Sequence, residues 1–297
     1  MRKVKVITDS CSDLNKELLE KYEIDYAKMN TVYNGVTSPA ILTWTDEEVH
    51  KLYGIMRDGK RILTTQVPVD EFTRIYKLYS DKGYDIIYIG CSSKQSGSVN
   101  TGALVAKQFM EANPEVKIAV IDSLNACLGE GILVIEAAKL ANEGKSLEEI
   151  RDHILKIRKT LHQYVTVHSL DTLKRAGRVK GPAAFFGNLM GVKPILVADA
   201  NGEQAAFKKV KGRQNSFKEI VSLLKAGIKN PENQTVYIAH SDCSTEEVNQ
   251  LVELVKAEIP CKDIFIGYIG PIIGASIGPD AIGVWGFGDE VEFKVGE

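Results

Sequence analysis

The sequence predicts an α/β fold in two domains, a parallel-sheet α/β half followed by a mixed α+β half. Three observations carry this. At 297 residues the chain is long enough for a sizeable apolar core and near the size at which one core splits into two. In the first half, short β-branched runs alternate with longer amphipathic segments, the signature of βαβ units around a parallel sheet. In the second, strand-like runs follow one another across short turns such as Asp199-Ala-Asn-Gly202, which indicates antiparallel hairpins.

Taken in order, Lys3–Thr8, Tyr84–Gly90 and Val116–Asp122 read as strands with helices between them. Thr45-Asp-Glu-Glu48, Ser146-Leu-Glu-Glu149 and Ser244-Thr-Glu-Glu247 each set a hydroxyl three residues before a carboxylate. Both groups can then satisfy free N–H groups of a helix start. Gly54-Ile-Met-Arg-Asp-Gly59-Lys60-Arg61 matches GxxxxGK, but Arg61 stands where a phosphate loop needs a hydroxyl, so Gly59 reads as a helix cap. Ser146 to about Leu161 forms one helix, and Tyr164–Ser169 opens a new set of elements. The domains are therefore expected at 1–162 and 163–297. Val192–Ala198, Gly202–Val210, Thr235–His240 and Asp263–Ile269 follow as strands, with a closing pair, Ala281–Trp285 and Glu290–Val295.

Composition excludes several function classes. With 44% hydrophobic and 26% charged residues the chain is an ordinary globular protein, and a net charge of −2 without a basic run gives no field for nucleic acid. MRKVKVITDSCSD turns polar too early for a signal peptide, and no apolar run reaches the roughly 18 residues of a membrane span. Five scattered cysteines without a CxxC pair fit reduced thiols, so the expected location is cytoplasmic. No GxGxxG follows a strand and no HExxH occurs. His50, His153, His162, His168 and His240 lack ligand spacing, so no metal is expected. Cys11 and Cys91, at strand ends, read as small buried hydrophobes.

One echo points to a site. Val6-Ile-Thr-Asp-Ser10 and Val120-Ile-Asp-Ser123 run apolar strands into Asp-Ser, and Ile87-Tyr-Ile-Gly-Cys-Ser-Ser93 and Tyr237-Ile-Ala-His-Ser241 also end in small polar residues. Ligands of open parallel sheets bind beyond the carboxyl ends of the strands, although such residues also cap helices. Ile7-Thr-Asp-Ser10 with Asp13-Leu14, Thr64-Thr65-Gln66-Val-Pro68, and Ser92-Ser93-Lys-Gln-Ser96-Gly97-Ser98 come first. Then come Ile121-Asp-Ser123, Leu170-Asp-Thr-Leu173-Lys-Arg-Ala-Gly177-Arg178, Lys193-Pro194, Lys211-Gly-Arg213 and Gly270-Pro-Ile-Ile-Gly274-Ala-Ser276-Ile-Gly278-Pro279. In this order and spacing, over nearly the whole chain, they resemble the DegV family.

The resemblance implies a bacterial fatty-acid-binding protein that is not itself an enzyme and carries no cofactor. It holds the acyl chain in a tunnel between its domains and presents the carboxylate to a separate ATP-using kinase subunit, which makes an acyl phosphate. By match to the family motifs, Thr64 and Ser96 would hold the carboxylate, with Thr65, Ser93, Gly97, Arg213 and Ser276 near it. Arg178 would face the kinase. Hydroxyl donors suit a desolvated carboxylate without trapping it in an ion pair. Some 15 buried methylenes at about 0.8 kcal/mol each give on the order of 12 kcal/mol before binding costs. The wall would come from Phe185, Phe186, Leu189, Met190, Ile272, Ile273 and Ile277.

The chain departs from the family at Gly274-Ala-Ser276-Ile277-Gly278-Pro279-Asp280, where Gly-Ala-His-Thr-Gly-Pro-Gly is common. Serine donates a hydrogen bond but carries no positive charge. Two other readings stay open: a carrier or sensor of another hydrophobic small molecule, and an enzyme using a strand-end nucleophile such as Cys91 or Ser96.

Overall fold

The computed structural model describes residues 2–181 and 191–295. The chain begins with β1 (Val4–Asp9), α1 (Lys16–Lys21), β2 (Asp25–Ala27), β3 (Asn30–Tyr33), β4 (Val36–Pro39) and α2 (Asp46–Arg57). It continues through β5 (Leu63–Thr65), α3 (Val69–Asp81), β6 (Asp85–Gly90), α4 (Ser98–Ala112), β7 (Ile118–Asp122), α5 (Leu128–Asn142) and α6 (Leu147–Ile157). Next come β8 (Leu161–Thr166), α7 (Asp171–Ala176), β9 (Val192–Ala198), β10 (Gln204–Lys211), α8 (Arg213–Gly227) and β11 (Thr235–His240). The last described elements are α9 (Thr245–Glu258), β12 (Asp263–Tyr268), α10 (Pro271–Ile277) and β13 (Ile282–Phe287).

Two compact units result. One comprises Met1–Trp44, Ile62–Arg158 and Gly270–Ile272, the other Thr45–Arg61, Lys159–Ile269 and Ile273–Glu297. The division thus falls at 158/159 rather than at 162/163, a position inside β8, and residues 45–61 group with the later part of the chain. Hydrophobic patterning reports that α2 is amphipathic but not which core receives its buried Val49 and Tyr53.

The first unit holds a parallel sheet in the order β2-β1-β6-β7, as the βαβ alternation predicts. Strand β6 is buried at every position, which is why it reads as a continuous apolar run rather than an alternating one. A second, antiparallel sheet, β4-β3-β5, turns at Asn34-Gly35, both with positive φ (49° and 77°). That Asn-Gly pair is a strong hairpin signal that the sequence reading passed over.

The other unit is a six-stranded sheet, β10-β9-β8-β13-β11-β12, antiparallel throughout except for β11 against β12. Its core gathers Phe217, Ile220 and Leu224 of α8 and Leu251 and Val255 of α9 against Ile195, Ile238, Ile282 and Val284 of the sheet. The expected last strand, Glu290–Val295, is not formed. Its backbone bonds scatter instead, from Val291 N–H to the Lys159 carbonyl and from Ala200 N–H to the Phe293 carbonyl. β13 consequently pairs with β8 and β11 on its two sides.

Helix starts form where the Ser/Thr-x-x-Glu pattern put them. Thr45/Glu48 and Ser146/Glu149 make both halves of the capping box. At Ser244 only the hydroxyl half forms, because the Glu247 carboxylate is drawn to Arg213 at 2.8 Å.

Candidate functional site at the strand ends

β1, β6 and β7 are consecutive parallel neighbours, so the residues following Asp9, Gly90 and Asp122 emerge on one edge of the sheet. Most of their hydroxyls are committed to backbone. Ser10 Oγ donates to the Ala40 carbonyl at 2.7 Å and accepts the Met29 N–H at 3.0 Å. Ser123 Oγ donates to the Asn125 carbonyl at 2.9 Å. Ser92, fully buried, accepts the Lys94 N–H. These serines shape loops, and the hydroxyls that stay available lie one segment further on.

That segment is knitted to the residues just after β5 by three contacts. Ser98 Oγ accepts the Val67 N–H at 3.2 Å, Gln66 Nε2 donates to Thr101 Oγ1 at 2.9 Å, and Gly97 lies beneath the Gln66 side chain. A Cβ at position 97 would stand 2.1 Å from Gln66 Oε1, so any larger residue would have to push the Gln66 side chain aside. Ser96 Oγ accepts the Ser98 N–H at 3.2 Å at the start of α4 and shares a 2.9 Å hydrogen bond with Ser98 Oγ. Thr64 and Ser93 are half-buried, and their hydroxyls have no hydrogen-bond partner among the described residues. Thr65 is exposed and its Oγ1 accepts from Asn30 Nδ2 at 3.3 Å. Five of the sequence-derived positions, Thr64, Thr65, Ser93, Ser96 and Gly97, therefore belong to the first unit, in the β5 strand and the β6–α4 loop that the Gln66 and Ser98 contacts join. Of the residues that make that join, Gln66 and Ser98 carried no local sequence signal beyond their place in the motifs, and Thr101 lies outside them.

Arg213 and Ser276 belong to the other unit. The Arg213 guanidinium is largely buried, bonded to the Glu247 carboxylate, to the Asp280 carbonyl at 2.7 Å, and stacked 4.8 Å from the Phe217 ring centre. Its Nη1 is buried without a partner. Ser276 is half-buried on α10. Arg178 is exposed just after α7, beside the equally exposed Lys174 and Arg175. Ile272 and Ile277 are buried and Ile273 half-buried, whereas Phe185, Phe186, Leu189 and Met190 lie outside the described residues.

Beneath the strand ends sits a buried acidic cluster that sequence reasoning missed. Asp9 accepts from Tyr88 at 2.7 Å and from the Cys11 N–H at 2.8 Å, and Thr8 Oγ1 donates to Glu130 Oε1 at 2.7 Å. Burial raises the acid groups of Asp9 and Glu130 above the ordinary carboxylate range and takes Asp13 up to about 8. Cys11 and Cys91 are buried as expected, but beside carboxyls rather than in apolar packing.

The family described as "Uncharacterised protein, DegV family" matches residues 3–287. This chain belongs to the DegV family. A DegV domain-containing protein of Clostridium perfringens is 36% identical over 98% of this chain and 100% of its own. Two solved DegV structures superpose closely. One reports fatty acid binding of a DegV family protein from Thermus thermophilus (TM-score 0.86, 25% identity, 97% of this chain and 100% of that one). The other is DegV, a fatty acid binding protein from Bacillus subtilis (TM-score 0.83, 26% identity, 97% and 100%). No helix of the described residues is long and apolar enough to cross a membrane.

Proposed function

We propose that this protein binds one long-chain fatty acid, with the carboxylate at the β5 and β6–α4 segment, and acts as a carrier without catalysis of its own. The observation that carries the reading is the pair of unpartnered, half-buried hydroxyls of Thr64 and Ser93, on the two segments that the Gln66 and Ser98 contacts join. A carboxylate removed from water needs such donors. If Ser98 Oγ–H donates to Ser96 Oγ, the Ser96 proton is left for the ligand, so Ser98 sets the direction of the relay. The N-terminus of α4, 15 residues long, adds partial positive charge. DegV proteins of Thermus thermophilus and Bacillus subtilis, similar along nearly their whole length, are described as fatty acid binding.

Delivery to a separate ATP-using kinase subunit, giving an acyl phosphate, completes the proposal. The exposed Arg175 and Arg178 are suited to an acidic face of such a partner, and Lys174 adds to their charge. Ser276 favours a second reading, a carrier or sensor of another hydrophobic molecule, because a hydroxyl there cannot supply the imidazolium charge. Native mass spectrometry of the chain purified from a bacterial host tests both. A co-purified fatty acid supports the first reading. A ligand-free mass with no uptake of added fatty acids refutes it, and displacement of a fluorescent fatty acid by sterols or flavonoids supports the second.

A further inference from the structure

The buried cluster of the first unit holds chemistry that fatty acid binding does not use. Cys11 follows β1, Cys91 follows β6, and Glu130 sits on α5, which packs on both strands. One donor atom from each, Sγ, Sγ and a carboxylate oxygen, lies within 4.8 Å of the other two, and all three residues are at most 1% exposed. We propose that Cys11, Cys91 and Glu130 hold one thiophilic divalent cation of the zinc class inside this unit.

Geometry and electrostatics support the same ligand independently. A tetrahedral ion with Zn–S of about 2.3 Å and Zn–O of about 2.0 Å sets its donors roughly 3.5–3.8 Å apart, so a triangle with all sides within 4.8 Å closes on such an ion by at most about 1.3 Å per side. Glu130 Oε2 is fully buried without a hydrogen-bond partner, while Oε1 is held by Thr8. An orphaned carboxylate oxygen in the interior is costly, and a cation beside two thiolates removes that cost. The charged groups that act on Glu130 are Asp9, Asp13 and Cys91, which are all acidic. Met29 Sδ, 3.4 Å from Cys11 Sγ, sets a soft thioether against one of the donors. Asp9, bonded to the Cys11 and Cys91 N–H groups, fixes the two cysteine backbones from outside the donor set. Uptake of the ion displaces the protons of the two thiols and of the Glu130 acid group, all three passing to solvent. The sequence concealed the set because its members lie 80 and 39 residues apart and no CxxC pair announces them.

The full-length chain, reduced and stripped with a chelator, is titrated with Co2+ and then with Zn2+. The expected result is one equivalent of Co2+ with a thiolate-to-cobalt charge-transfer band, bleached by Zn2+, and a raised melting temperature with either ion. Cys11→Ser and Cys91→Ser should each weaken or abolish the band, Glu130→Gln should keep thiolate absorption but bind about tenfold more weakly or worse, and Cys261→Ser should leave the spectrum unchanged. Absence of the band in the wild-type chain overturns the proposal without reliance on any variant's folding. So does an undiminished band in Cys91→Ser, or a Cys11–Cys91 disulfide whose reduction restores no metal binding. Fatty acid content, measured on the same samples, reports separately on the carrier reading.

Discussion

Gly97 lies under Gln66 so closely that a methyl group on Gly97 would come 2.1 Å from Gln66 Oε1, and this contact sets β5 against the start of α4. The obstructing atom is the end of an exposed, flexible side chain, and the φ of −76° at Gly97 suits any residue. Gly97→Ala should therefore cost under about 1 kcal/mol of stability. It should nevertheless displace Gln66 from Thr101 and weaken fatty acid binding by about tenfold. Chemical denaturation paired with a fluorescent fatty acid titration separates the two effects.

Thr64→Val keeps the β-branched shape and removes only the hydroxyl. If that hydroxyl donates to the carboxylate, the loss is about 1.5–3 kcal/mol, or roughly 10- to 150-fold in affinity. Ser96→Ala should lose comparable affinity and also about 1 kcal/mol of stability, since Ser96 Oγ accepts the Ser98 N–H at the helix start. Equal affinity of Thr64→Val and wild type in the same titration would remove Thr64 from the site.

Legibility followed the range of the forces involved. β9 and β11 were readable to the residue, and the Thr45, Ser146 and Ser244 caps to the position, because β-branched runs and capping hydroxyls act locally. Glu290–Val295 has an alternating pattern but no partner strand, and pairing is non-local. The same reason hid the assignment of α2 to the later unit and the diversion of Glu247 from its cap to Arg213 across 34 residues. Thr64 and Ser96 are singled out only by family resemblance. What the structure adds is the contact set through Gln66, Ser98 and Thr101 that joins their segments.

His240 supplies an acid-sensitive term. Burial lowers its pKa to about 4, and its Nδ1 accepts the Cys243 N–H at 3.2 Å, which requires the neutral ring. With a folded value below the unfolded value of about 6.5, the unfolded chain binds the extra proton in between. Stability from this group is complete above about pH 6.5 and falls as pH drops towards 4, by on the order of 3 kcal/mol. His240→Asn, whose amide oxygen can still accept the Cys243 N–H, should flatten that part of the profile. Urea midpoints at pH 7 and pH 4.5 for the two proteins measure the difference, and identical acid slopes would contradict the assignment.

Arg213 can serve the fold, the ligand or both, and its surroundings allow the two roles to be separated. Its side chain is 13% exposed and already holds Glu247, the Asp280 carbonyl and the Phe217 face, so its first role is to tie α8 to α9 and to the segment between α10 and β13. Removing Glu247 leaves the cation partly buried with only a carbonyl and a ring, and a broken pair of this kind costs up to about 3–5 kcal/mol when fully buried. Glu247→Gln, on the partly exposed side of that range, should cost about 1–3 kcal/mol. Fatty acid affinity gives the second readout. Glu247→Gln removes the competing negative charge while Nη2 keeps the Asp280 carbonyl, so affinity should hold or rise if Arg213 takes part in binding. Arg213→Met should then lose affinity as well as stability. If both variants fall in stability alone and bind fatty acid as wild type does, Arg213 is a strut of the unit and the carboxylate is held by the hydroxyls of Thr64, Ser93 and Ser96.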